Sequence, residues 1–159
     1  MEKEKLQEFA TRVTQANRSE LVVIIFEAAL ASIAEGRAAL EKNEIAEARH
    51  EIDRAKGMVD ELLHSLDLNY AISHYLRQLY IYAYHELCHG VALRDTGRLD
   101  HAADVLERLL VSFREVAKQD DSDPVMENTQ QIYAGLTYGR GQLNETVASG
   151  EEMNRGFEA

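Results

Sequence analysis

The chain has 159 residues, 45% of them hydrophobic and 28% charged, with a formal net charge of −11. That is enough for one domain with a substantial core, and a surface this acidic excludes a nucleic-acid backbone as its main partner. The longest apolar run, "LVVIIFEAALA", is broken by Glu27 and is too short to span a bilayer, so no membrane insertion is expected. "MEKEKLQEF" at the N-terminus has no apolar signal core, and the lone Cys88 has no intrachain disulfide partner. Both features predict a cytoplasmic protein.

Apolar residues recur at helical spacing in four long segments. "EKEKLQEFATRV" is a short amphipathic helical piece ahead of them, with Leu6, Phe9 and Val13 on one side. The first long helix is expected from about Arg18 to Lys42, with Asn17 and Glu20 at the spacing of a capping box. Its stripe is Leu21, Ile25, Ala28, Ser32 and Ala39, yet Val22, Val23, Ile24 and Phe26 are apolar too. Its first two turns must therefore be covered on more than one side. The second long helix is expected from about Glu44 to Leu68, with Ile45, Ala48, Ile52, Ala55, Val59, Leu62 and Leu66 as its seam. The third spans about Ala71 to Arg94, along Ile72, Leu76, Leu79, Ala83, Leu87 and Gly90. Gly97 in "RDTGR" is expected to close it in a left-handed conformation. The fourth runs from about Leu99 to Lys118, with Leu99, Ala102, Leu106, Leu109, Phe113 and Val116 facing inward.

No segment alternates with period two, so the fold class is all-α. The short connections predict an antiparallel up-down four-helix bundle over residues 1–118, including the N-terminal segment. From Gln119 onward the composition changes: residues 119–159 hold the only proline and five of the nine glycines, and read as an irregular tail. Apolar residues from Tyr133 to Leu143 could anchor it in a groove.

"HELCH", residues His85 to His89, matches the H-E-x-x-H pattern in which two imidazoles share a zinc ion and the glutamate activates water. Stepped at helical pitch from Ala83, His85 and His89 fall about 160° and 120° away, on the back of the helix. No third ligand is placed to fold over them, so neither metal nor cofactor is expected, and no catalytic residue is assigned. Cys88 reads as packing.

More informative is the width of the third helix's apolar face. Tyr75 and Tyr82 lie on one shoulder of its core line, Tyr80 and Tyr84 on the other. These tyrosines either roof the core or form a groove for another amphipathic helix, a use that suits Tyr because it offers area at little entropic cost.

In order and spacing these segments resemble the flagellin export chaperones of the FliS type. "ANRSELVVIIFEAAL" is similar to that family's capped opening helix, with Glu20 and Leu21 matching and Phe26 standing for a tyrosine. "IDRAKGMVDELLHSL" fits the next helix through Ala55, Met58, Val59, Glu61, Leu62 and Leu66; "LRQLYIY" fits the one after through Leu76, Leu79, Tyr80 and Tyr82. "RDTGRL" and "FREVA" resemble its last loop and the end of its last helix. Thr11 stands where the family has an asparagine, Arg18 where it has a proline, and its tryptophan near the end of the bundle is missing.

The resemblance implies a non-enzymatic cytoplasmic chaperone. It would bind the disordered C-terminal segment of flagellin, prevent premature polymerisation and assist delivery to the flagellar secretion apparatus, with export-apparatus or regulatory proteins as further partners. The contacts it implies are Leu21, Ile25 and Phe26 on the first long helix and Leu76, Leu79, Tyr80 and Tyr82 on the third. Leu6, Phe9 and Val13 would cover part of that surface when no client is bound. A helical adaptor for another amphipathic client shares the same bundle; a zinc-dependent hydrolase rests on H-E-L-C-H alone.

Overall fold

The helical spacing is realised in a computed structural model that describes residues 3–126. Five helices follow in order: α1 Lys3–Gln15, α2 Arg18–Glu41, α3 Ile45–His64, α4 Ala71–Leu93 and α5 Thr96–Gln119. The described residues contain no strand. Of the expected irregular tail only 119–126 are described: Gln119 closes α5, and 120–126 form neither helix nor strand; the anchors from Tyr133 to Leu143 lie outside the described residues.

α2 packs on α3, α3 on α4, α4 on α5, and α5 back on α2, which closes a ring of four. Three pairings show that α2 and α5 run antiparallel. The start of α2 meets the end of α5 where Asn17 Nδ2 donates to Asp120 O (2.9 Å). Midway, Arg114 Nη2 donates to Glu27 Oε1 (2.9 Å), and near the far end Arg37 Nε donates to Asp100 Oδ1 (2.7 Å). α1 lies antiparallel on α2, through Arg12 to Glu27 (2.6 Å) and Lys5 to Glu35 (3.4 Å). The crowded start of α2 is thus served on two sides: Phe26 and Val23 enter the core, and α1 covers the outer flank.

The core is built as the seams require. Ile52, Ala55, Val59 and Leu62 of α3 are buried against Phe26, Ala29 and Ile33 of α2, and Leu99, Ala102 and Leu106 of α5 complete it. Each such fully buried Leu or Ile contributes about 1.5–3 kcal/mol. Two glycines let helices approach closely: a Cβ on Gly36 would lie 2.7 Å from Ile52 Cδ1, and one on Gly90 would lie 2.5 Å from Leu99 Cδ2.

Helix ends follow local chemistry. Asn17 and Glu20 form the expected capping box, with Glu20 N donating to Asn17 Oδ1 and Asn17 N to Glu20 Oε2, both at 2.9 Å. α3 stops four residues earlier than Leu68, and Ser65 Oγ turns back to Leu62 O (2.8 Å); Leu66 still packs on the core from the loop.

The α4–α5 connection corrects the expectation for Gly97. The left-handed residue is Arg94 (φ 54°), with Asp95 N donating back to Gly90 O (2.8 Å). Asp95 then caps α5 by accepting from Gly97 N (3.0 Å), so Gly97 sits inside the next helix. One two-residue turn both ends α4 and starts α5.

Candidate protein-binding surface

α4 departs most from the sequence reading. Its buried line is Ser73, Tyr80, Ala83, Leu87 and Gly90, with Leu76 partly buried beside it. The steps of three and four run through Ser73 and Tyr80, and the polar Ser73 hides this register from a reading of hydrophobicity. Ile72 and Leu79, expected in the core, face outward instead.

Two expected contact residues change role. Tyr80 is 1% exposed and Phe26 fully buried, so neither offers surface to a partner. Their rings lie 6.0 Å apart, and Phe113 of α5 stacks on Phe26 at 5.1 Å. Burial pushes the Tyr80 hydroxyl pKa well above its ordinary value.

What α4 leaves outside is a stripe at steps of three and four: Ile72 (62% exposed), Tyr75 (67%), Leu79 (38%) and Tyr82 (45%). The next residue on that line is Glu86, which ties α4 to α5: Arg98 Nη1 donates to Glu86 Oε1, and His101 Nδ1 lies against Oε2, each at 3.0 Å. The stripe therefore borders α5. On α5 the line through Arg98 continues to Leu109, partly buried, and Val116, exposed. Leu68, in the α3–α4 loop, is exposed as well, but it lies on the other side of α4, in a crevice with Leu63, Leu66, Arg77 and Ile81. Clustered apolar area of this kind marks an interaction surface more often than an accident of composition. Ile72, assigned inward, was missed as part of it; a frame set on Tyr80 instead of Leu79 would have found it.

The other named residues lie apart from this stripe. Leu21 and Ile25 are partly buried. They share the register of Gly36, the contact with α3, and α2 stands at the opposite corner of the ring from α4. Leu76 is partly buried under the stripe. In α1, Leu6 is exposed and Phe9 and Val13 are half-buried.

Beside α1 a crevice of about 520 Å³ runs between α1, α2 and α5, floored by Val23, Ile24 and Ala117 and rimmed by Arg12, Arg114 and Lys118. Glu27 sits at its centre between the two arginines. Burial alone would raise its pKa; the hydrogen bonds from Arg114 and Arg12 outweigh that and hold it below the ordinary carboxylate value.

The H-E-x-x-H residues do not converge. His85 and His89 are exposed, with rings 6.4 Å apart, while Glu86 has both oxygens engaged by α5. Among the described residues no group of three or more His, Cys, Asp or Glu is placed to hold a metal ion. Cys88 is half-buried and lines a crevice with Ile52, Lys56 and Val91.

The family model for flagellar protein FliS matches residues 1–120, which spans all five helices. The chain belongs to that family. FliS-family proteins are flagellar export chaperones, so an acidic helical bundle with an exposed apolar stripe here serves flagellum assembly. Among curated proteins the chain has no match. No helix among the described residues is long and apolar enough to cross a membrane.

Proposed function

We propose that this chain is a cytoplasmic, non-enzymatic chaperone that takes the disordered C-terminal segment of flagellin on the α4/α5 face, prevents premature polymerisation and holds the client for the secretion apparatus. The observation that carries this reading is the stripe Ile72, Tyr75, Leu79 and Tyr82, left exposed on a bundle whose family is FliS. A client helix with apolar residues at the same steps would bury that stripe as it folds. The ordering cost of a disordered client keeps the affinity moderate and the complex releasable. Leu76, Phe26 and Tyr80 act from beneath, by fixing the pose of α4.

Leu21 and Ile25 form a second patch, on the α3 side of α2, that a long client could reach by wrapping the bundle. In this reading α1, through Leu6, Phe9 and Val13, shields the flank of α2 until a client arrives. Export-apparatus or regulatory proteins would meet the remaining surface.

Calorimetric titration with a peptide of the flagellin C-terminal segment, in the presence of EDTA, tests the proposal. One-to-one binding with a negative heat-capacity change is expected. A folded bundle that gives no heat with this peptide would move the search to a different client.

A further inference from the structure

Past α5 the chain turns back over the α1–α2 hinge. α1 itself is lightly held: none of its residues is buried, and its ties to α2 are the ion pairs of Arg12 and Lys5 with partial cover of Phe9 and Val13. The exposed Lys5–Glu35 pair contributes little, the part-buried Arg12–Glu27 pair is a single tie, and a helix of 13 residues is marginal alone. The hinge, by contrast, is fixed. Ala16 is 3% exposed and Asn17 5% exposed.

The segment Asp120–Val125 is bonded directly to this hinge. Asn17 Oδ1 is committed to Glu20 N, so its amide NH2 must point the other way, where it donates to Asp120 O (2.9 Å) and more distantly to Ser122 O (3.5 Å). Ser19 Oγ donates to the Asp120 carboxylate, which also accepts from Ser122 N (3.1 Å) and Ser122 Oγ (2.5 Å). Val125 N then donates to Ala16 O (3.0 Å), the carbonyl of the first of the two residues between the helices. A single carboxylate thus shapes a turn whose far end hydrogen-bonds the hinge itself.

We propose that Asp120–Val125 is a strap that clamps the α1–α2 hinge and thereby sets how firmly α1 lies on α2. Loosening the strap frees α1 and opens the crevice beneath it, while the four-helix ring stays intact. This rests on the strap's hydrogen bonds alone and holds whatever the client is.

Hydrogen–deuterium exchange on the full chain tests it, with Val125→Pro (which removes the N–H to Ala16 O), Asp120→Ala (which removes the carboxylate) and Val125→Ala (which keeps the N–H). Val125→Pro and Asp120→Ala should exchange the α1 amides roughly tenfold faster, with α3 and α4 unchanged. Val125→Ala should match the parent. Unchanged α1 exchange in both of the first two variants overturns the proposal. So does an equal rise across the whole bundle, which would make the segment a general support. If Val125→Ala loosens α1 as much as Val125→Pro, the backbone bond is not the clamp and the idea also fails.

Discussion

The rings of Phe26 and Tyr80, 6.0 Å apart and tilted by 54°, join α2 to α4 across the diagonal of the bundle. With Phe113 they form an aromatic centre that three helices share. Tilted rings at this range add about 0.5–1.5 kcal/mol to plain burial. Tyr80→Ala is expected to cost about 3–5 kcal/mol in chemical denaturation, whereas Tyr80→Phe, which keeps the ring, should stay near the parent. A Tyr80→Ala chain as stable as the parent but unable to bind client would return Tyr80 to the surface.

Most of the architecture could be read from spacing, and the reasons for the exceptions are local. α3 was legible because its seam is apolar and its back charged. α4 was not, because apolar and aromatic residues occupy most of its circumference and Ser73 sits on the buried line; hydrophobicity cannot choose the inward face of such a helix. The width of the apolar face was legible, but the stripe that stays outside was centred on the wrong shoulder. Arg94 was missed as the left-handed residue because a glycine three positions later is the commoner choice, and only the backbone bond from Asp95 to Gly90 decides between them.

Tyr75→Ala with Tyr82→Ala should weaken flagellin-peptide binding at least about tenfold, since tyrosines dominate such interfaces. Both side chains are exposed, so the melting temperature should barely move. Titration of the double variant beside Leu21→Ala distinguishes the two faces. If only Leu21→Ala loses affinity, the client sits on α2.

Gly90→Ala and Gly57→Ala should move stability in opposite directions. A methyl at Gly90 meets the fully buried Leu99, which has no room to swing, and should cost about 1–3 kcal/mol. At Gly57 nothing lies within 4 Å, and the better helix former should add about 0.5–1 kcal/mol. Urea midpoints of the two variants provide the comparison.

Glu27 gives the α1–α2–α5 junction a pH dependence. Its pKa is lowered from 4.5 in the folded chain, because bonds to Arg114 and Arg12 outweigh the opposing effect of burial. A group lowered on folding contributes fully above its unfolded value and loses that contribution as pH falls through the folded one. Stability should therefore fall as pH drops below 4.5, and Glu27→Gln should flatten that part of the curve. Parallel acid titrations followed by circular dichroism would reveal the difference; identical slopes would mean the carboxylate is not engaged in solution.

The histidine pair and the glutamate between them should separate cleanly. His85→Ala with His89→Ala alters exposed side chains and should change stability by no more than about 0.5 kcal/mol, with client binding intact. Glu86→Ala removes the partner of Arg98 and His101 at the α4–α5 contact and should cost about 1–3 kcal/mol. Thermal melts and client titration on both variants would contradict this if the histidines proved the more sensitive.

The bond from Asn17 to Asp120 spans 103 positions of the chain. Each neighbouring pair of helices within α2–α5 can form from short-range contacts, but the α5-to-α2 seam joins distant ends. Loop closure over that span is the slow entropic step, so the two hairpins should assemble quickly and the last seam late. Arg114→Ala, which removes a bond of that seam to Glu27, should then speed unfolding and leave the folding rate nearly unchanged. The bonds between α5 and α2 would serve, in time, as the fastener of a bundle already built, and a chain still emerging from the ribosome would lack that fastening until α5 is free.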